Sequence, residues 1–174
     1  MSDECCAVPS AGSSLGESHL AQARPKGEKP PCPQCGQAGK PVEAQTVRAQ
    51  VALSLRSVPP GNYLFCRTRD CPVVYFSQDH ETVVLKSEMR ERVYQKEPDS
   101  PDVWICYCFR HTVGDVTEAL KADRDRILSD INSGIRAEEC ACDLRNPQGS
   151  CCLGNVAALI RLVPSADAPE SSSA

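Results

Sequence analysis

The chain has 174 residues, 23 acidic against 19 basic side chains for a net charge of −4, and only 5% aromatic residues. Its 41% apolar content is inflated by 12 cysteines and many alanines, which excludes one large hydrophobic core. The acidic balance, with basic residues scattered along the chain, gives no electrostatic basis for a nucleic acid or an anionic lipid as partner.

The longest dense apolar stretch, around Val103 to Phe109, falls far short of the roughly 20 residues that span a bilayer, so no membrane insertion is expected. No basic segment followed by an apolar stretch opens the chain, so no secretory signal is read and a cytoplasmic, reducing location is expected. Small domains that bury little apolar surface recruit disulfides or metals. In a reducing compartment the cysteines serve as thiolates, and metals become the choice.

In chain order, residues 1–30 are rich in Ser, Gly, Pro and Ala and read as a disordered arm that carries Cys5 and Cys6. Cys32-Pro-Gln-Cys35-Gly36 follows, then Thr46 to Leu55, where Val47, Val51 and Leu55 at four-residue spacing suggest a helix while β-branching leaves a strand open. Tyr63 to Cys66 and Val73 to Phe76 are short, aromatic and β-branched around the turn residues Arg67 to Pro72, a hairpin signal that sets Cys66 and Cys71 at its tip. The acidic, proline-containing stretch Lys96 to Asp102 is the expected boundary between a module over 31–97 and another over 103–164.

The second module opens on Val103-Trp-Ile-Cys-Tyr-Cys-Phe109. Thr112 and Asp115 form a capping-box pattern before an apolar face of Val116, Ala119 and Leu120. Ile127, Leu128 and Ile131 make a second face that Gly134 is expected to end, and Leu153 to Val163 gives a third helix with Pro164 just past it. Residues 165–174 form a loose tail. The fold class expected is α+β: a small zinc-ribbon-like β module followed by a helical [2Fe-2S]-binding module.

Two cysteines separated by two residues let one tight turn aim both sulfurs at one ion, and Gly36 permits the positive φ that brings N–H groups toward them. Cys66 and Cys71 supply a second pair, and four thiolates are the closed set that structural zinc prefers. Buried free cysteines, or a redox Cys-x-x-Cys at Cys32 and Cys35, are the competing readings; the latter wants a strand-to-helix setting that a loop beside the arm does not offer.

Cys106 and Cys108 can present two sulfurs from one extended turn, and two thiolates per iron complete a [2Fe-2S] site. The remaining ligands lie among Cys140, Cys142, Cys151 and Cys152, flanking a turn-rich loop with Asn146-Pro147 and Gly149. Spacing does not choose among these four.

The runs CPQCGQAGKPV, FCRTRDCPVVYFS, CYCF and CACDLRNPQGSCCLGNV resemble the N-terminal domain of the CopZ-type copper chaperones, over about residues 31–162. The cluster half also resembles bacterioferritin-associated ferredoxin. The resemblance implies a zinc ribbon with a [2Fe-2S] site: Zn2+ on Cys32, Cys35, Cys66 and Cys71, and the cluster on Cys106, Cys108, Cys142 and Cys152, with Cys140 and Cys151 spare. Chaperones of this type carry a further Met-x-Cys-x-x-Cys loop that holds Cu(I), and no such loop occurs in these 174 residues.

The function expected is a non-enzymatic, metallochaperone-like role in metal handling, with copper or another soft metal ion as the cargo and a one-electron redox role. A redox or metal-transfer protein is the partner implied. A [2Fe-2S] electron carrier docking to a reductase or storage protein is the alternative, and a thiol sink for heavy metals through Cys5, Cys6, Cys140 and Cys151 a weaker one. His111 reads as a solvated loop histidine or a residue tuning the cluster. Trp104 and Tyr107 read as core or as a shield around Cys106, and Arg67 and Arg69 as solvated charges. No paired acid–base carboxylates, phosphate loop or Ser/His/Asp arrangement is present.

Overall fold

The computed structural model describes residues 30–164. The expected tail and all but the last residue of the expected arm, including Cys5 and Cys6, lie outside the described residues.

The first half is a four-stranded antiparallel sheet in the order β1 (Lys40–Val42), β2 (Tyr63–Phe65), β3 (Val73–Ser77), β4 (Val83–Leu85), with helix α1 (Ala44–Gln50) between β1 and β2. Every residue of β2 and β3 is buried, so both faces of the central strands are covered. Alternation divides the two faces. Tyr63 and Phe65 pack with Tyr75, Val84, Val47 and Val58 on the side that holds α1. Leu64 and Phe76, which are register partners, point the other way and pack with Cys32, Cys66 and Cys71. A shift in pairing between Val73 and Tyr75 lets the adjacent Val74 and Tyr75 serve the same face, where plain alternation would send them to opposite ones.

Helix α1 is shorter than the apolar spacing suggests. Val51 turns extended (ψ 144) and bridges to Met89, and Leu55 opens a separate 3-10 turn where it is 46% exposed. The β-branched Val51 takes the extended conformation its side chain favours.

The second half begins with a hairpin of β5 (Trp104–Cys106) and β6 (His111–Thr112), turned through Arg110 at φ 59. Four helices follow: α2 (Val113–Thr117), α3 (Lys121–Arg136), α4 (Cys142–Arg145) and α5 (Leu153–Leu162). The capping box at α2 is present: Thr112 Oγ1 accepts from the Asp115 N–H at 3.0 Å, and Asp115 Oδ2 accepts from the Thr112 N–H at 2.7 Å. Leu120 does not join the apolar face expected for it; it caps α3 and is 66% exposed. Gly134 does not end its helix either, because α3 runs on to Arg136. A Cβ at Gly134 would lie 2.1 Å from Phe109 Cζ, so the glycine makes room for that ring. Ile105, Val113, Val116, Ile131 and Val156 form the core here, together with Cys106 and Cys152.

The halves are joined at several points. In the expected boundary stretch, Lys96 is 4% exposed and its Nζ donates to Thr68 O at 2.8 Å, while Asp99 pairs with Arg69, which is therefore not a free charge. The 143–150 loop lies against the first half. Gln50 Nε2 donates to Leu144 O, the Tyr75 hydroxyl to Pro147 O and Lys40 Nζ to Ser150 Oγ, each at 2.6 Å. Gly149, at φ 63, sits so close to β1 and α1 that a Cβ would meet Val42 Cγ2 at 2.8 Å. Among the described residues no helix is long and apolar enough to cross a membrane.

Candidate metal centres

The first group of thiols is built by two turns. Cys32 and Cys35 sit on one that Gly36 closes at φ 71, with the Gly36 N–H donating to Cys32 O at 2.9 Å and the Cys32 N–H to Gln37 O at 2.8 Å. Cys66 and Cys71 sit on the β2–β3 turn, where the Cys66 N–H donates to Val74 O and the Cys71 N–H to Thr68 O. The two turns bring the sulfurs of Cys32, Cys35, Cys66 and Cys71 within 4.8 Å of one another. Cys32 and Cys71 are 3.9 Å apart, and Cys35 and Cys66 3.6 Å. A tetrahedral zinc with Zn–S near 2.3 Å sets its sulfurs roughly 3.8 Å apart, so the arrangement has the right span.

Charge in this group is shared unevenly. Burial raises the Cys32 thiol and pushes Cys71 up to about 12. Burial opposes ionisation of Cys35 as well, but the Thr68 hydroxyl 3.3 Å from its sulfur, the Gln37 N–H and the neighbouring thiols bring it down to about 6. Sequence reasoning had no signal for Thr68, which is neither a metal-ligand type nor at knuckle spacing. Four sulfurs this close, three of them buried, can be ionised together only beside a cation, since like charges at this range disfavour one another.

The second group is drawn from two distant segments. Cys106 ends β5 and Cys108 lies in the β5–β6 turn; Cys142 opens α4 and Cys152 immediately precedes α5. The Cys108 and Cys142 sulfurs are 3.7 Å apart, and the Cys152 thiol acts on those of both Cys106 and Cys142. Cys106 is fully buried and Cys152 2% exposed, while Cys108 and Cys142 are half-buried. The Cys152 thiol brings Cys106 down to about 7 and Cys142 to about 6; those same contacts push Cys152 far up, and burial lifts Cys108 to about 11. N–H groups of Phe109 and Cys108 favour an ionised Cys106, that of Ala141 an ionised Cys108 and that of Cys152 an ionised Cys142.

The loop between Cys142 and Cys152 is shaped by Asn146, 1% exposed, whose Nδ2 donates to Ser150 O at 2.7 Å and whose Oδ1 accepts from the Gln148 N–H at 3.2 Å. Of the remaining thiols, Cys140 is half-buried, and Cys151 is exposed with its sulfur 3.5 Å from the Leu153 N–H. His111 Nε2 lies 2.8 Å from Asp130 Oδ2, so it is not a free loop histidine. Tyr107 is buried, its hydroxyl donating to Arg92 O and accepting from the Tyr94 N–H.

Residues 29–90, which carry the first group, match the family described as "Zinc binding domain" (zf_CopZ). The first half is therefore a zinc-binding domain. The copper chaperone CopZ of Archaeoglobus fulgidus is 35% identical over 121 residues, 70% of this chain, and the chain spans 57% of that relative's length. The X-ray structure of the A. fulgidus CopZ N-terminal domain matches with a TM-score of 0.62 at 32% identity, over 77% of this chain and 98% of the other. The chain belongs to the family of CopZ N-terminal domains.

Proposed function

We propose that the chain is a metal-handling protein with two inorganic centres: a structural zinc held by Cys32, Cys35, Cys66 and Cys71, and a [2Fe-2S] cluster held by Cys106, Cys108, Cys142 and Cys152. The observation that carries the reading is the second group. Its Cys108 and Cys142 sulfurs lie 3.7 Å apart, the buried Cys152 thiol acts on both Cys106 and Cys142, and backbone N–H groups favour the ionised form of three of the four. A cluster takes two thiolates on each iron and is stabilised by such N–H donors. Two deeply buried and two half-buried ligands give one sheltered side and one side near solvent.

The zinc site has no open position once four sulfurs are bound, so its role is to hold the β2–β3 turn against the Cys32 turn. A [2Fe-2S] cluster would supply one-electron transfer, the chemistry that converts Cu(II) into the Cu(I) that thiolates prefer. The chain's own residues keep the site ready. Asn146 shapes the ligand loop, and Tyr75 and Gln50 fasten it. The similarity to a copper chaperone supports copper as the cargo.

Metal and acid-labile sulfide analysis of anaerobically purified protein tests the reading. About one zinc, two irons and two sulfides per chain are expected. A colourless chain without iron or sulfide rejects the second centre while leaving the first in place.

A further inference from the structure

Between α1, the β5–β6 hairpin and α4 lies a hollow of about 190 Å3 whose wall comes from both halves of the molecule. It exceeds the roughly 150 Å3 cavity that admits a benzene-sized molecule. Three guanidinium groups line it, those of Arg90, Arg110 and Arg145, against the single carboxylate of Glu91. This positive concentration occurs in a chain of net charge −4. None of the ion pairs among the described residues includes any of these four side chains, although Arg69, Arg92 and Arg126 all have acidic partners.

Two of the guanidiniums are already held. Arg90 Nε donates to Val51 O at 2.7 Å, and Arg110, carried on a left-handed residue, stacks 5.3 Å above the Trp104 ring. Gln50, also in the wall, is 5% exposed; its Nε2 is used on Leu144 O, but its buried Oε1 has no hydrogen-bond partner. Buried acceptors in folded proteins are nearly always satisfied. Tyr107, whose hydroxyl is spent on Arg92 and Tyr94, presents its ring to the hollow, as does Trp104.

We propose that this hollow binds a small hydroxycarboxylate dianion, its carboxylates on Arg90, Arg110 and Arg145 and its hydroxyl donating to Gln50 Oε1. The excess of two positive charges sets the charge of the ligand, and planar guanidinium forks bind carboxylates bidentately. The orphan acceptor demands a donor, which a plain dicarboxylate or a sulfate dianion does not offer; tighter binding of inorganic phosphate, whose dianion carries one P–OH donor, overturns the proposal. The ligand bridges residues of both halves beside the elements that carry Cys106 and Cys142.

L-Malate is the probe and succinate, the same dicarboxylate without the hydroxyl, its control. The full-length protein is titrated anaerobically by calorimetry at constant ionic strength, while emission of Trp104, the only tryptophan, reports the hollow itself. Saturable one-to-one binding of malate with a change in Trp104 emission is expected, with succinate about tenfold weaker for want of one hydrogen bond. Arg145→Gln, whose side chain has no ion pair to lose, weakens malate about tenfold while zinc content is unchanged. Gln50→Leu removes the preference for malate over succinate. Equal affinity for the two acids, a response matched by chloride, or unaltered binding in Arg145→Gln overturns the proposal.

Discussion

The two cysteine groups are assembled in opposite ways. The first is local: two turns, one closed by Gly36 and the other the tip of the β2–β3 hairpin, meet on one face of the sheet and need nothing from the second half. The second is composite. Cys106 and Cys108 belong to a hairpin of their own, but Cys142 and Cys152 flank a loop whose backbone oxygens are held by Gln50 and Tyr75 of the first half. A site made of neighbouring turns can form alone, whereas a site whose loop is fastened to another half inherits the stability of that half. Dependence should therefore run one way, from the second group to the first.

The largest effects are expected from the ligands themselves. Under the proposed assignment, Cys152→Ser abolishes the visible absorption of the second centre, and Cys151→Ser and Cys140→Ser leave it in place. Loss of colour from Cys151→Ser with colour retained in Cys152→Ser would exchange the two. Gly134→Ala comes next, since its methyl would drive into the Phe109 ring. Overpacking of this kind costs roughly 1–3 kcal/mol, to be read as a lowered unfolding midpoint of the helical half with zinc content unchanged.

Tyr75→Phe tests the fastening directly. It removes one buried hydrogen bond, worth about 1 kcal/mol, from Pro147 O, and should speed iron loss in air without altering zinc. Thr68→Val is the smallest. The Thr68 hydroxyl favours the Cys35 thiolate, so its loss lets the Cys35 pKa rise from about 6. Protons then compete with zinc at higher pH, and the half-release point in a chelator titration should move up the pH scale. A downward shift would show that the hydroxyl does not act on the thiolate.

The residues that sequence makes legible are those whose chemistry is local. Knuckle spacing and Gly36 point to the four cysteines that the fold gathers, the aromatic and β-branched runs mark the β2–β3 hairpin, and Thr112 with Asp115 marks the start of α2. Each is a relation among residues a few positions apart. What sequence conceals is relational over distance. Gly134 reads as a helix end until Phe109 is seen against it, and Leu120 as a core residue until α2 is found to stop at Thr117. Val51 sits at helical spacing yet bridges to Met89. Tyr75 reads as one more strand aromatic, although its hydroxyl reaches a loop 72 residues further on. The arginines of the hollow, from separate stretches of chain, look like scattered surface charge until the fold collects them.

One-way dependence is tested most directly by zinc, iron and sulfide content measured side by side in Cys71→Ser and Cys108→Ser, both purified anaerobically. The account predicts that Cys71→Ser is depleted in all three, while Cys108→Ser loses iron and sulfide but keeps its zinc. A Cys71→Ser protein that lacks zinc yet retains a full complement of iron and sulfide would contradict it.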